Sequence, residues 1–290
     1  MRRAEGQESD GATAMSYQLS PIEERYLELM KQCLTRYLFI DEEMDEVEPS
    51  GWRAIAYGPV RRFLRGRGLQ LGRLGGGDRS DREVGRDWPP YAETMVGLRR
   101  LENVQACVSE VIRSRVRGDL IETGVWRGGT SIFMRATLAA FGDADRRVWV
   151  ADSFRGLPPP GSRRFSADEG LDLSSPLLSV SLEQVKANFG KYGLLDAQVE
   201  FLVGWFKDTL PSAPIDHLAV IRLDGDLYES TMDALSALYP KLSLGGYVII
   251  DDYYCFDACR QAVTDYRQAH GVTDAIEGID WTGAYWRRTI

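Results

Sequence analysis

The sequence predicts an α/β protein built around a mostly parallel sheet with helices on both faces. Three observations predict it. From residue 119 to residue 254, apolar runs of strand type alternate with segments of helical spacing, a pattern that builds right-handed βαβ units. The runs DLIETG, VWVAD, FLVGW, VIRLD and VIIDD each carry an acid or a glycine at the carboxyl end, where open sheets bind ligands. With 290 residues the chain can bury a full core around one large sheet.

The elements follow in order. Residues 1–18, beginning MRRAEGQESDGATAMS, lack the apolar stretch of a signal peptide and read as a disordered tail in which Met15 is an alternative start. Residues 19–90 read as an N-terminal helical region. Its first helix places Ile22, Tyr26, Leu29, Met30, Cys33 and Leu34 on one face, with Ser20 and Glu23 as a capping box and Pro21 in the first turn. An acidic run and a short helix over 53–65 come next. Residues 66–90 are rich in Gly, Arg and Asp, close with Trp88-Pro89-Pro90, and read as a loop. The main domain is expected over 91–290, opening with a long amphipathic helix from Ala92 to Arg115. Five strands follow with three helices between them, then a last helix from Asp257 to His270 and a terminal segment, WTGAYWRR, with strand character.

Composition narrows the functional classes. The net charge of −8 argues against a broad nucleic-acid surface. No apolar run is long enough to span a membrane. The four cysteines form no C-x-x-C pair and lie far in sequence from both histidines, so zinc is not expected. Reduced thiols in a cytoplasmic protein are the expectation.

The strand ends carry the chemistry. VIRLD closes in Asp224 and VIIDD in Asp251 and Asp252, joined by a helix that makes the two strands parallel. Neighbouring strands lie about 4.8 Å apart, so the three carboxylates would repel one another without protons or a cation between them. An all-oxygen set suits a hard ion such as Mg²⁺, the alternative being two solvated acidic ends. At the first strand, Glu122 precedes a turn built from Gly124, Gly128 and Gly129, without the spacing of a dinucleotide or P-loop site. An acid there disfavours phosphate and suits an ammonium group, although a plain tight turn reads the same way. Asp152, ending the second strand, is placed to reach ribose hydroxyls. Gly204 leaves space at the third, and Trp205 either flanks a purine or packs in the core. A nucleoside with a cationic amino-acid tail fits these ends, and S-adenosylmethionine answers that description. A metal-dependent hydrolase would use the aspartates but gives no reason for Glu122, Asp152 and Trp205.

The segments ETMVGLRRLENV, DLIETGVWRGGTSIFMRA, VWVADSFRGLPPP, VKANFGKYGLLDAQVEFLVGWFKDTLP, IRLDGDLYESTMDALSALYPKLSLGGYVIIDDY and IDWTGAYWRR resemble, in order, the macrocin-type sugar O-methyltransferases. The resemblance covers roughly residues 90–288. It implies a Rossmann-like class I SAM-dependent methyltransferase fold with a seven-stranded, mostly parallel sheet and an N-terminal helical lid. It also implies S-adenosylmethionine and Mg²⁺ as cofactors, a deoxysugar hydroxyl of a glycosylated antibiotic as acceptor, and a homo-oligomer. Matched residue by residue, Thr94, Met95, Glu122 and Gly124 fall at the methionine end of the cofactor. Asp152 and Ser153 fall at the ribose, and Gly204 and Trp205 at the adenine. Asp224, Asp251 and Asp252 match metal ligands, and Asp226 matches a proposed general base. His217 begins its strand at the edge opposite the acids and His270 ends a helix, which leaves Asp226 as the best candidate to accept a proton. Asp226 with Glu229 also reads as a helix cap. Other readings are a catechol or phenol acceptor, and a SAM-fold protein that binds without catalysis. Arg99 and Arg100 read as a solvated face or, alternatively, as reaching an acidic group, Tyr57 and Trp52 as acceptor-pocket or stapling residues, and Trp281 and Trp286 as packing.

Overall fold

Helix α1 (Pro21–Leu34) begins where the sequence places it: Ser20 N–H donates to Glu23 at 2.6 Å and Glu23 N–H donates back to Ser20 Oγ. In the computed structural model, which describes residues 18–46, 52–69, 72–74, 77–158, 165–173 and 175–290, the buried stripe of α1 is rotated from the expected face. Leu27, Met30, Lys31 and Leu34 are buried, whereas Ile22 is 81% and Leu29 50% exposed. Most of the expected tail, residues 1–17, lies outside the described residues, as does the side chain of Trp52.

The stretch 66–90 contains regular structure that its composition hides. Strand β1 (Met44–Glu46) and helix α2 (Trp52–Arg65) precede β2 (Gly72–Leu74), which pairs antiparallel with β1. Helix α3 (Arg79–Val84) is capped by Asp78, which accepts from Ser80 N–H at 2.7 Å, and ends at left-handed Gly85. Its Arg82 is 2% exposed and donates to Glu43, Asp87 and the carbonyl of Thr35, so a charged residue centres this packing.

Helix α4 (Leu98–Arg113) is shorter than expected, starting after Gly97 rather than at Ala92. The segment before it is committed elsewhere. The N–H groups of Glu93 and Thr94 both reach the Leu34 carbonyl, and the Glu93 carbonyl accepts from Gly129 at 2.9 Å. Residues 92–97 therefore tie the end of α1 to Gly129 and are not free to coil.

The remaining elements are β3 (Asp119–Thr123), α5 (Gly129–Ala140), β4 (Val148–Asp152), α6 (Leu182–Lys191), β5 (Val199–Val203), α7 (Phe206–Thr209), β6 (Leu218–Leu223), α8 (Tyr228–Leu238), β7 (Leu242–Ile250), α9 (Asp257–Ala269), β8 (Glu277–Gly278) and β9 (Ala284–Arg287). The seven-stranded sheet has the order β5-β4-β3-β6-β7-β9-β8, parallel from β5 to β7 and antiparallel at β9 and β8. Alternate residues of one strand feed two cores. Leu120 packs with Leu101, Val108 and Phe133 on one face, and Ile121 with Leu235, Val263 and Trp286 on the other. Strands buried on both faces read as continuous apolar runs, which is why they were visible in the sequence. The strand order reverses between β3 and β6, and that switch point opens the ligand-binding crevice.

Candidate active site

Register brings the strand ends together. Glu122 lies opposite Arg222 across β3 and β6, and Leu223 opposite Ile250 across β6 and β7, so Asp224 and Asp251 emerge side by side. Asp251 N–H donates to the Leu223 carbonyl and Asp224 N–H to that of Thr123, both at 2.9 Å. Gly124 runs so close to β6 that a Cβ there would lie 1.7 Å from the Asp224 carbonyl oxygen, and its φ of +83° also requires glycine. These edges enclose a cleft of about 690 Å³, a size suited to a cofactor. Every candidate residue lines it: Thr94, Met95, Glu122, Gly124, Asp152, Ser153, Gly204, Trp205, Asp224, Asp226, Asp251 and Asp252.

The cofactor half follows the expected order of strands. Thr94 Oγ1 lies 3.4 Å from Thr130 Oγ1 at the start of α5, and Val96 N–H donates to it. Asp152 accepts from Val125 N–H at 2.8 Å and Phe154 N–H at 2.7 Å, which ties the glycine turn of β3 to the end of β4. Burial raises its pKa despite these hydrogen bonds. Ser153 Oγ donates to the Gly156 carbonyl. Gly204 has a φ of +144°, and Trp205 begins α7 partly exposed to the cleft. Glu122 is 1% exposed and lies between Ser131 Oγ and Arg222, and burial pushes its pKa up to about 7.

The acids group differently from the expected division. Ligand oxygens of Asp224, Asp226 and Asp252 all lie within 4.8 Å of one another. Asp251 instead receives hydrogen bonds from both Arg222 and Arg100. Burial, then the charge of Asp251, pushes Asp224 up to about 6. Burial, then Asp224, pushes Asp226 up to about 7, and Asp252 is raised by burial and by Asp226. Buried Asp252 Oδ2 has no hydrogen-bond partner. An orphaned carboxylate oxygen facing two further acids is the environment a hard divalent cation relieves. The helix-cap reading of Asp226 does not hold. Residue 227 stands at the cap position of α8, and the N–H groups of Tyr228 and Glu229 go to Asp168, at 2.7 and 3.0 Å. Asp226 has a left-handed φ of 59°, a conformation aspartate tolerates better than most residues.

Two charged residues, Arg222 and Asp168, escaped the sequence reading. Arg222 is 1% exposed and donates to Glu122 at 2.6 Å, Asp224 at 2.9 Å and Asp251. Burial works against its charge, but those acids outweigh it and hold its proton more tightly than usual. Its signal was legible, since a charge inside the run AVIRLD must be paired. Of the two readings of Arg100 the structure shows the acidic-group one, since it is buried between Asp251 and Asp280, while Arg99 is on the exposed face. Asp168 had no signal in its Pro- and Gly-rich surroundings. Trp286 is core, as expected, but Trp281 is 42% exposed and lines the cleft, as does Trp88. Tyr57 is not among the described residues lining the cleft. His217 precedes β6 at the opposite edge, and His270 stacks on Tyr266 with centroids 4.1 Å apart. All four cysteines are free. No helix among the described residues is long and apolar enough to cross a membrane.

The sheet order, the acid-lined crevice and the nucleoside-shaped cofactor half define a Rossmann-like, class I SAM-dependent methyltransferase. Residues 23–288 match the macrocin O-methyltransferase (TylF) family, and the chain belongs to it. The match extends the resemblance read over 90–288 into the N-terminal helices. Over 266 residues the chain is 54% identical to the 8-demethyl-8-(2,3-dimethoxy-alpha-L-rhamnosyl)-tetracenomycin-C 4'-O-methyltransferase of Streptomyces olivaceus, covering 91% of this chain and 92% of that one. It is 55% identical over 210 residues to the demethyldecarbamoylnovobiocin O-methyltransferase of Streptomyces niveus, covering 72% and 80% of the two chains. The solved structure of the O-methyltransferase NovP superposes with a TM-score of 0.80 at 46% identity, covering 92% of this chain and 100% of that one. The calicheamicin methyltransferase CalS11, at 18% identity and a TM-score of 0.53, shares the fold. The chain is an enzyme that transfers methyl groups from S-adenosylmethionine to oxygen.

Proposed function

We propose that this enzyme methylates a deoxysugar hydroxyl of a glycosylated natural product during antibiotic biosynthesis, and that it requires Mg²⁺. The observation that carries the reading is the cluster of Asp224, Asp226 and Asp252, whose oxygens face one another across the cleft with Asp252 Oδ2 unpartnered. The curated relatives, whose names specify rhamnosyl-tetracenomycin and novobiocin precursors, support the acceptor class.

The residues divide the work as follows. Glu122, Gly124 and Thr94 frame the amino-acid end of the cofactor, with Met95 beside them. Asp152 and Ser153 face its ribose, and Gly204 and Trp205 bound the adenine. The cofactor supplies a methyl group on a positively charged sulfur, open to in-line attack. Asp224 and Asp252 are the first candidates to hold Mg²⁺, which when bound lowers the cost of negative charge on a sugar oxygen. Asp251 is the remaining candidate to hold it, its carboxylate gripped by Arg100 and Arg222. Asp226 accepts the hydroxyl proton. In the metal-free protein, burial and then Asp224 raise its carboxyl above the ordinary aspartate range, which favours taking up a proton. Gly85, Trp88 and Trp281 stand on the acceptor side of the cleft, where residues 19–90 contribute a wall. Oriented approach of hydroxyl to methyl supplies much of the acceleration.

The test is a screen with isotope-labelled S-adenosylmethionine against glycosylated acceptors and free phenols, with Mg²⁺ or chelator. Label in the sugar of a glycoside, lost in chelator, is expected. Transfer to phenols alone, or turnover indifferent to chelator, overturns the proposal.

A further inference from the structure

We infer that Asp168 is a positioning residue for the acid loop, acting through the first turn of α8. The loop from Asp224 to the helix is short, and its start is fixed by the hydrogen bond of Asp224 N–H to Thr123. Its other end has no cap of its own. Residue 227, at the cap position, is a leucine and makes no side-chain cap hydrogen bond. The structure meets this need from some sixty residues away. Asp168, fully buried in the insertion between β4 and α6, accepts from Tyr228 N–H with Oδ1 and from Glu229 N–H with Oδ2. A carboxylate at a helix N-terminus satisfies free donors and complements the helix dipole.

Placement of the cap gives it a consequence for the site. Tyr228 is two residues beyond Asp226, which is held in the left-handed region with φ 59°. Such a conformation persists when its surroundings over-determine it. Here the two sides are the β3 contact at Asp224 and the Asp168 cap. Phe165, on the same insertion, packs against the Tyr228 ring with centroids 5.0 Å apart, and Tyr228 Oη donates to Asp265 on α9. Leu227 N–H turns back to the Gly225 carbonyl at 2.6 Å, and Ser230 Oγ closes on Gly225 and Leu227, so a shift of the first helical turn is transmitted to residues 225–227. The same external cap leaves the Asp226 carboxyl free to face Asp224 and Asp252. Asp168 is not among the residues that line the cleft; it acts through Asp226.

The inference rests on the acid-cluster reading of the site, and the test separates the two. Wild type, Asp168→Ala and Asp168→Asn are compared for Mn²⁺ binding by calorimetry, for thermal stability, and for kcat with separate KM values for S-adenosylmethionine and acceptor. Asn keeps one acceptor oxygen for the two N–H groups and turns its NH₂ toward the other, so Asp168→Asn should lose several-fold in kcat and Mn²⁺ affinity, less than Asp168→Ala. Asp168→Ala should lose on the order of tenfold or more in kcat and weaken Mn²⁺ binding, with the KM for S-adenosylmethionine within about twofold, because small misplacements cost chemistry more than remote binding. If Asp168→Ala melts lower yet keeps kcat and Mn²⁺ affinity in the folded protein, the residue is merely structural and the inference fails. Should Asp168→Ala not fold, an Asp168→Asn variant with kcat and Mn²⁺ affinity both several-fold below wild type supports the inference, and one with both unchanged but a lower melting point overturns it. Wild type that binds no Mn²⁺ at all overturns the metal reading instead, leaving the kcat comparison to judge Asp168.

Discussion

Replacing Asp226 by asparagine should make the metal-free protein more stable while nearly abolishing turnover. Asp226 is pushed from an ordinary 3.8 up to about 7, by burial and then by Asp224. A raised carboxyl binds its proton more tightly in the folded state than in the unfolded one. Between about pH 3.8 and about pH 7 the folded protein therefore carries more protons, and stability falls as pH rises through that window. About three units at about 1.4 kcal/mol each gives on the order of 4 kcal/mol, an upper bound because Asp252 and Asp224 share the same field. The substituted amide carries no charge to bury, so in chelator at pH 8 the variant should gain on the order of 2–4 kcal/mol, or roughly 3–7 °C in melting temperature for a chain of this length. At pH 5, where the folded protein retains the proton and the unfolded chain has lost it, the advantage should shrink to about 1–2 kcal/mol. Thermal melts in chelator from pH 5 to 8 measure this, and added Mg²⁺ should stabilise wild type most at high pH. Loss of the general base should lower kcat by about 10²–10⁴-fold with cofactor binding preserved. A wild-type melting temperature that is flat or rises with pH in chelator would refute the electrostatic reasoning. Near-normal turnover of Asp226→Asn would eliminate Asp226 as the base.

Three further outcomes follow from the same geometry. Arg222→Met leaves Glu122, Asp224 and Asp251 without their shared buried cation and should cost about 3–5 kcal/mol, read by chemical denaturation at pH 8. The loss should be smaller at pH 5, where Glu122, pushed up to about 7, takes a proton instead. Gly124→Ala would put a methyl 1.7 Å from the Asp224 carbonyl in a conformation L residues disfavour, so cofactor affinity by calorimetry should fall on the order of tenfold or more. Trp281→Ala, at the exposed end of the cleft, should raise the KM for a glycosylated acceptor several-fold and leave that for S-adenosylmethionine unchanged.

Much of the site was legible before any coordinates. Strands buried on both faces must read as apolar runs, and each run here stops at a residue that lines the cleft: Gly124, Asp152, Gly204, Asp224 and Asp251. Chain order and the right-handed crossover then bring Asp224 and Asp251 to one edge. Capping chemistry is also local, so Ser20 and Glu23 were readable as a box, and Asp78 and Gly85 marked a helix that the composition of 66–90 obscured.

What the sequence by itself determined was the order of elements and the residue types at the strand ends, because periodicity and capping act over a few residues. Tertiary structure alone decided which charges meet. Arg100 reads as a solvated residue or as one reaching an acid until α4 lays it against Asp251 and Asp280, and Asp168 reads as loop until the insertion folds back onto α8. The division of the acids, with Asp226 facing Asp224 and Asp252 while two arginines hold Asp251, depends on partners up to 151 residues apart. Desolvation and Coulomb energy are set by distance in space, and no pattern along the chain encodes that.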